Sequence, residues 1–269
     1  MLSRQRTRGV VLWLASVALF ILAGTASAAR AQTADPCFGP AEPVTIAGPA
    51  GPMTLALDDG RLVRLADIAA ADPAADRRLE AMAGQAAGLR RVAAFEGADR
   101  HGRIVGDVVP KDTTEGLRIE LLSGGLALVD PAVISEECLE TSFAAERRAE
   151  GAAKGVWSQH HPVLSANASN RLERVGQNVL VEGTVMDVGR SRRTIFLNFG
   201  ADWRSDFTAM VAQRTAGKWV DAPVTLTGAR VRIRGVLEAW NGGLIKVEHP
   251  AQIERLDASS RPRLRSDSR

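Results

Sequence analysis

The chain has 269 residues, with 34 Lys and Arg against 31 Asp and Glu, a formal net charge of +3. Four of those arginines and none of the acids fall in residues 1–31, so the remainder holds 30 basic against 31 acidic residues, a net charge of −1. The basic pI of about 9.3 describes the whole chain only, and bulk charge gives no argument for nucleic-acid binding.

At the start, Arg4, Arg6 and Arg8 precede an apolar run from Val10 to Ala23 that is too short to span a bilayer. Two small-x-small sites follow, Ala26-Ser27-Ala28 and Ala29-Arg30-Ala31. The pattern predicts a secretory signal over residues 1–31, cleaved after Ala31, and an exported chain, periplasmic or secreted, with no stable membrane span after cleavage. Disulfides persist in such compartments, so Cys37 and Cys138 are expected to pair, two buried free thiols being the alternative.

Residues 38–158 carry 13 Lys and Arg and 19 acids, residues 171–256 carry 13 and 9, and the polar stretch between them, SQHHPVLSANASN, reads as a linker centred on 159–170. Two domains are therefore expected. Residues 257–269 have one leucine and no periodicity, and read as a disordered tail.

In the first domain, Met53 to Leu57 and Leu62 to Ile68 flank the turn Asp58-Asp59-Gly60 and predict a hairpin. Ala74 to Gly88 is alanine-rich and reads as a short helix, Arg103 to Val109 as a strand, Gly116 to Gly124 as a helix, and Glu136 to Lys154 as a longer one. The expected fold class is mainly β with added helices, an OB-like barrel. The second domain offers five strands: Val179 to Val188, Thr194 to Phe199, Phe207 to Val211, Ala229 to Glu238 and Leu244 to Val247. A second small β-barrel of OB-like kind is expected, with a small sandwich as the alternative.

Three segments carry the chemistry: Asp59 to Ile68 (DGRLVRLADI), Asp99-Arg100-His101-Gly102-Arg103, and Gly155-Val156-Trp157, with Gly124-Gly125-Leu126-Ala127 before the last. In this order and spacing, residues from about 45 to 158 resemble the thermonuclease, or staphylococcal-nuclease-like, family. The resemblance implies an OB-like barrel whose site combines two arginines, a water-positioning carboxylate and two calcium-binding aspartates. Arg64 and Arg103 match the arginines, whose planar forks suit bidentate phosphate contact. Asp72 stands where the family has its catalytic glutamate, one methylene shorter. The metal aspartates fall on Met53 and Ala69, which offer a hard cation no oxygen donor. No metal ligand set is therefore expected, and calcium enters only if the chain is an active nuclease. Asp67 shares strand parity with Ala69, so a rearranged metal site remains open at this point.

In the second domain, Arg230, Arg232 and Arg234 share one strand face at period two, and Trp203 lies in the aromatic segment Ile195 to Thr208. They form a candidate surface for single-stranded nucleic acid, by guanidinium contact and stacking, or else a solvated outer face over a barrel core. His160, His161 and His249 have no Cys or acid at ligand spacing and do not propose a zinc site. Two functions follow: an exported nuclease-like binding module with weakened or lost phosphodiesterase activity, whose partner is single-stranded nucleic acid or another exported protein; or an active nuclease with a rearranged metal site.

Overall fold

The structure is a computed structural model describing residues 36–159, 162–202, 204–217, 219 and 223–256. All of these fall within the single unit Ala34–Arg269. The expected signal over 1–31, His160, His161, Trp203 and the tail 257–269 lie outside the described residues.

The first half builds a closed barrel. Strands β1 (Glu42–Pro49), β2 (Thr54–Leu57) and β3 (Leu62–Leu65) run antiparallel in succession. The β2–β3 turn closes through Gly60, which takes the left-handed φ of 84° that a tight turn demands. After β3 the chain does not continue straight. Asp67, at φ 52°, breaks the extended run, and β4 (Ile68–Ala70) leaves the barrel. Asp67 and Ala69 are consequently not on one strand, and the parity that would have put them on one face does not apply.

Helix α1 (Ala74–Glu80) is shorter than the alanine-rich sequence suggests, because the chain turns at Gly84 (φ 75°) and enters β5 (Ala86–Arg91). The helical propensity of alanine yields here to strand pairing: β5 bonds β1 on one side and β6 (Ile104–Pro110) on the other. With β6 parallel to β3, the order β1-β2-β3-β6-β5 closes on itself. Helix α2 (Leu117–Ser123), the short β7 (Ala127–Val129) paired with β4, and helix α3 (Glu136–Gly151) follow. Cys37 and Cys138 form a disulfide, Cα atoms 5.6 Å apart, that ties the chain ahead of β1 to α3. The turn Gly124-Gly125 meets the chain beyond α3 directly: Val156 N–H, at the start of α4 (Val156–Gln159), donates to Gly125 O at 2.9 Å.

The second half is an open sheet rather than a second closed barrel. Strands β8 (Val163–Ser165), β9 (Asn178–Thr184), β10 (Asp187–Arg190), β11 (Thr194–Asn198), β12 (Thr208–Ala212), β13 (Arg230–Glu238), β14 (Leu244–Val247) and β15 (Ile253–Arg255) are joined in the order β10-β11-β12-β14-β13-β9-β8, with β15 on β13. The segment expected to be a linker supplies a strand: β8 adds parallel to β9 and takes the edge at that end. Helix α5 (Gln213–Ala216) follows β12.

Each half has its own apolar cluster, around Leu55, Leu65 and Leu121 in the barrel and around Val181, Phe207 and Ile233 in the sheet. A third cluster, Leu128, Ala149, Val156 and Trp157 with Leu180 of β9, packs the two halves together. The seam also carries charge. Arg232 and Arg234, two apart on β13, meet Glu150 and Glu146, four apart on α3. Two strand residues advance about 6.6 Å and four helical residues about 6.0 Å, so the two spacings match.

Candidate anion site at the barrel

Local turn chemistry assembles the two barrel arginines. Asp99 folds the segment before β6 into a tight loop: its Oδ1 accepts from the N–H groups of His101 and Arg103 at 2.9 and 3.0 Å, and Gly102 supplies a φ of 76°. That loop delivers Arg103 to the start of β6. Because β6 runs parallel to β3 with Arg64 opposite Val105, the two arginines arrive side by side.

Both guanidinium groups converge on one carboxylate. Arg103 donates from Nε to Asp99 Oδ2 at 2.9 Å, its Nη2 lies 2.7 Å from the same oxygen, and Arg64 Nε lies 3.7 Å from it. The side chains of Arg64, Asp99 and Arg103 are 20%, 13% and 23% exposed, a half-buried cluster open to water on one side. Burial alone would raise the Asp99 carboxyl, but the Arg103 side chain and the N–H groups of Arg103 and His101 outweigh it and hold the group well below the usual carboxylate range. Asp99 is thus ionised, and the cluster carries two positive charges against one negative. Thr54, paired across the strands with Arg64, accepts a long bond from Arg103 Nη1 at 3.4 Å while donating to Pro52 O at 2.9 Å. Only the register of the hairpin reveals this role, and the spacing of the arginines gives no hint of it.

The acids expected beside these arginines are occupied elsewhere. Asp72 accepts from the Ala74 N–H at 2.8 Å at the entrance to α1, and among the described residues no hydrogen bond or ion pair joins it to Arg64 or Arg103. Asp67 is fully buried and its carboxylate accepts from the N–H groups of Val133 and Ile134. Met53 lies in the barrel core and Ala69 pairs with Leu128. Among the described residues no three His, Cys, Asp or Glu side chains come together as a metal site. A calcium ion, which takes six to eight oxygens, does not fit this set.

Nearby, burial pushes the Asp130 carboxyl up, opposed by a hydrogen bond from Asn178 of β9 and by the charges of Arg64 and Arg234.

The arginine stripe of β13 is not a surface. Arg230 is 61% exposed and lies 3.2 Å from Glu182, but Arg232 and Arg234 are buried. Arg232 donates to Glu150 and Glu182, which keep it firmly protonated against the pull of burial. Arg234 bonds Glu146 and Glu254 and stacks over Phe143, 4.7 Å from the ring centroid. Parity placed the three arginines on one face correctly; α3 covers that face. His249 caps a turn, accepting from Ala251 N–H at 3.1 Å.

No protein-family model matches the chain, and no curated protein shows significant similarity to it. Among the described residues no helix is long and apolar enough to cross a membrane.

Proposed function

We propose that the barrel is a thermonuclease-like OB fold that has lost metal-dependent phosphodiester hydrolysis and keeps its arginine pair to hold a phosphoryl group, so that the exported protein acts as a nucleic-acid binding module. The closed order β1-β2-β3-β6-β5, with β3 and β6 parallel and α1 placed between β3 and β5, is the arrangement of an OB barrel and supports the fold part of this reading. The observation that carries the functional part is the convergence of Arg64 and Arg103 on Asp99 in a half-open cluster.

Asp99 holds both guanidinium groups in place and leaves one net positive charge. A phosphate arriving from solvent meets N–H donors already oriented, which limits the entropy lost on binding. The positions that would supply a metal and an attacking water are a core methionine, an alanine, and an aspartate spent on a turn, so no hydrolytic step is derived.

The test is incubation of the purified protein with single-stranded and duplex DNA in calcium, magnesium or chelator, beside an Arg103→Ala control. The expected outcome is retention of single-stranded DNA that weakens with salt and with Arg103→Ala, and intact DNA throughout. Metal-dependent cleavage abolished by Arg103→Ala would establish the active nuclease instead. Absence of retention would remove the binding role.

A further inference from the structure

A second cation lies far from the barrel arginines in sequence and has a setting of its own. Arg171 is only 7% exposed and stands in the wall of a cleft of about 520 Å3 lined by Asn167, Ser169, Arg204, Ser205, Asp206 and Asn241 among others. Its guanidinium donates from Nε to Gly242 O, from Nη1 to Ala168 O at 2.5 Å and from Nη2 to Ser205 O at 2.6 Å. Three neutral carbonyls hold it. Among the described residues no carboxylate forms an ion pair with Arg171, and the acid that acts on it through space, Asp206, turns its Oδ2 to the Asp202 N–H at 2.7 Å.

Burying a charged group without a direct ion pair is costly, and natural chains keep such a group where something offsets the cost. From the buried cation, the carbonyl clamp and the polar cleft beside it, we propose that this cleft binds a small oxyanion, a carboxylate or phosphate borne by a polar molecule, seated against Arg171 with Arg204 at its mouth. A guanidinium has five N–H groups. Three are engaged by carbonyls, and one on each terminal nitrogen is left for the ligand. Ser169, Asn167 and Asn241 line the cleft with groups suited to the polar remainder of such a molecule, and Leu172 gives one apolar wall. Burial pulls the Arg171 guanidinium below its ordinary value, the direction that a bound anion reverses. The clamp is tightly built: a Cβ at Gly242 would collide with Ser205 O and with Arg171 Nη2, so glycine is required for the wall to close on the arginine.

The experiment titrates 15N-labelled full-length protein with inorganic phosphate and, separately, with succinate, at constant ionic strength. Saturable shifts centred on the amides of Ser169, Ser205 and Gly242, with a dissociation constant of about 1 mM or tighter, are expected for at least one probe, and the tighter probe identifies the anion. Arg204→Ala, at a position 72% exposed, should weaken that binding about fivefold or more with the fold intact. Arg171→Lys, which keeps charge and loses the fork, should weaken it about tenfold or more. Arg103→Ala should leave it unchanged. Failure of both probes to shift the amides of Ser169, Ser205 and Gly242 saturably, or binding there indifferent to Arg204→Ala, would each overturn the proposal, and the last holds even if Arg171→Lys does not fold; shifts around Arg64 and Arg103 report the barrel cluster separately.

Discussion

Arg234 Nη1 lies 2.9 Å from Glu146 Oε2, and both side chains are almost wholly removed from water, at 1% and 2% exposure. Glu146 also accepts from the Val129 N–H at 2.7 Å, so the pair locks β7, α3 and β13 together. Removing Arg234 strands the Glu146 charge in the interior, and removing Glu146 leaves Arg234 only the longer contact to the partly exposed Glu254. Glu146→Gln or Arg234→Leu should each cost about 3 to 5 kcal/mol in urea unfolding. The double replacement Glu146→Leu with Arg234→Met should recover much of that loss, since a well-packed apolar pair of similar volume often serves as well.

The disulfide spans 101 residues of sequence. Closing a loop of that length restricts the unfolded chain by about 4 to 5 kcal/mol in the chain-entropy treatment. Reduction, or Cys37→Ala with Cys138→Ala, should lower stability by an amount approaching this. Denaturant midpoints with and without reductant, with intact mass reporting the bond, are the check.

Asp99 competes with any incoming phosphate for the Arg103 fork. Asp99→Asn removes that competing charge while keeping an oxygen acceptor for the loop N–H groups. Retention of single-stranded DNA should strengthen several-fold, as expected for about 1 kcal/mol of relieved competition, whereas Arg103→Ala should weaken it. Equal weakening by both substitutions would assign the cluster to loop structure alone. Affinities at two salt concentrations separate the cases.

Acid should destabilise the protein through His249. Burial pulls its imidazole below the ordinary value of 6.5, against the opposing charges of Asp67 and Glu136. On acidification the unfolded chain takes up this proton before the folded protein does. The stabilisation is therefore complete above about 6.5 and is lost as pH falls through the depressed folded value. The raised Asp130 carboxyl acts with the opposite sign, since the folded protein binds that proton first. His249→Asn keeps a capping acceptor for the Ala251 N–H but does not titrate. Its stability should vary less with pH below about 6.5, measured by urea midpoints across that range.

The strands legible in sequence were those with their own apolar pattern. Leu62–Leu65, Ile104–Pro110 and Arg230–Glu238 each carry several branched aliphatic residues. Strands β1 and β5, EPVTIAGP and AAGLRR, hold proline, glycine and alanine and become extended because their neighbours in the barrel bond them on both sides. The position of Arg103 is fixed locally by the Asp99-x-x-Gly102 turn, whereas Arg64 lies on β3 and comes beside it only through the parallel pairing of β3 with β6. The burial of Arg232 and Arg234 was not legible, because alternation fixes which side of a strand a residue faces and leaves open what packs on that side. For Asp67 the alternation itself failed, at one left-handed residue.

The matched spacing across the seam has a practical side. A chain severed near residue 160 would leave Glu146 and Glu150 on one piece and Arg232 and Arg234, each keeping one acid of its own in Glu182 and Glu254, on the other, beside the divided cluster of Leu128, Trp157 and Leu180. The row of glutamates and the row of arginines are equal in pitch. Such pieces, co-expressed, carry the instructions for finding one another, and reconstitution from two polypeptides becomes a natural format for labelling one half at a time.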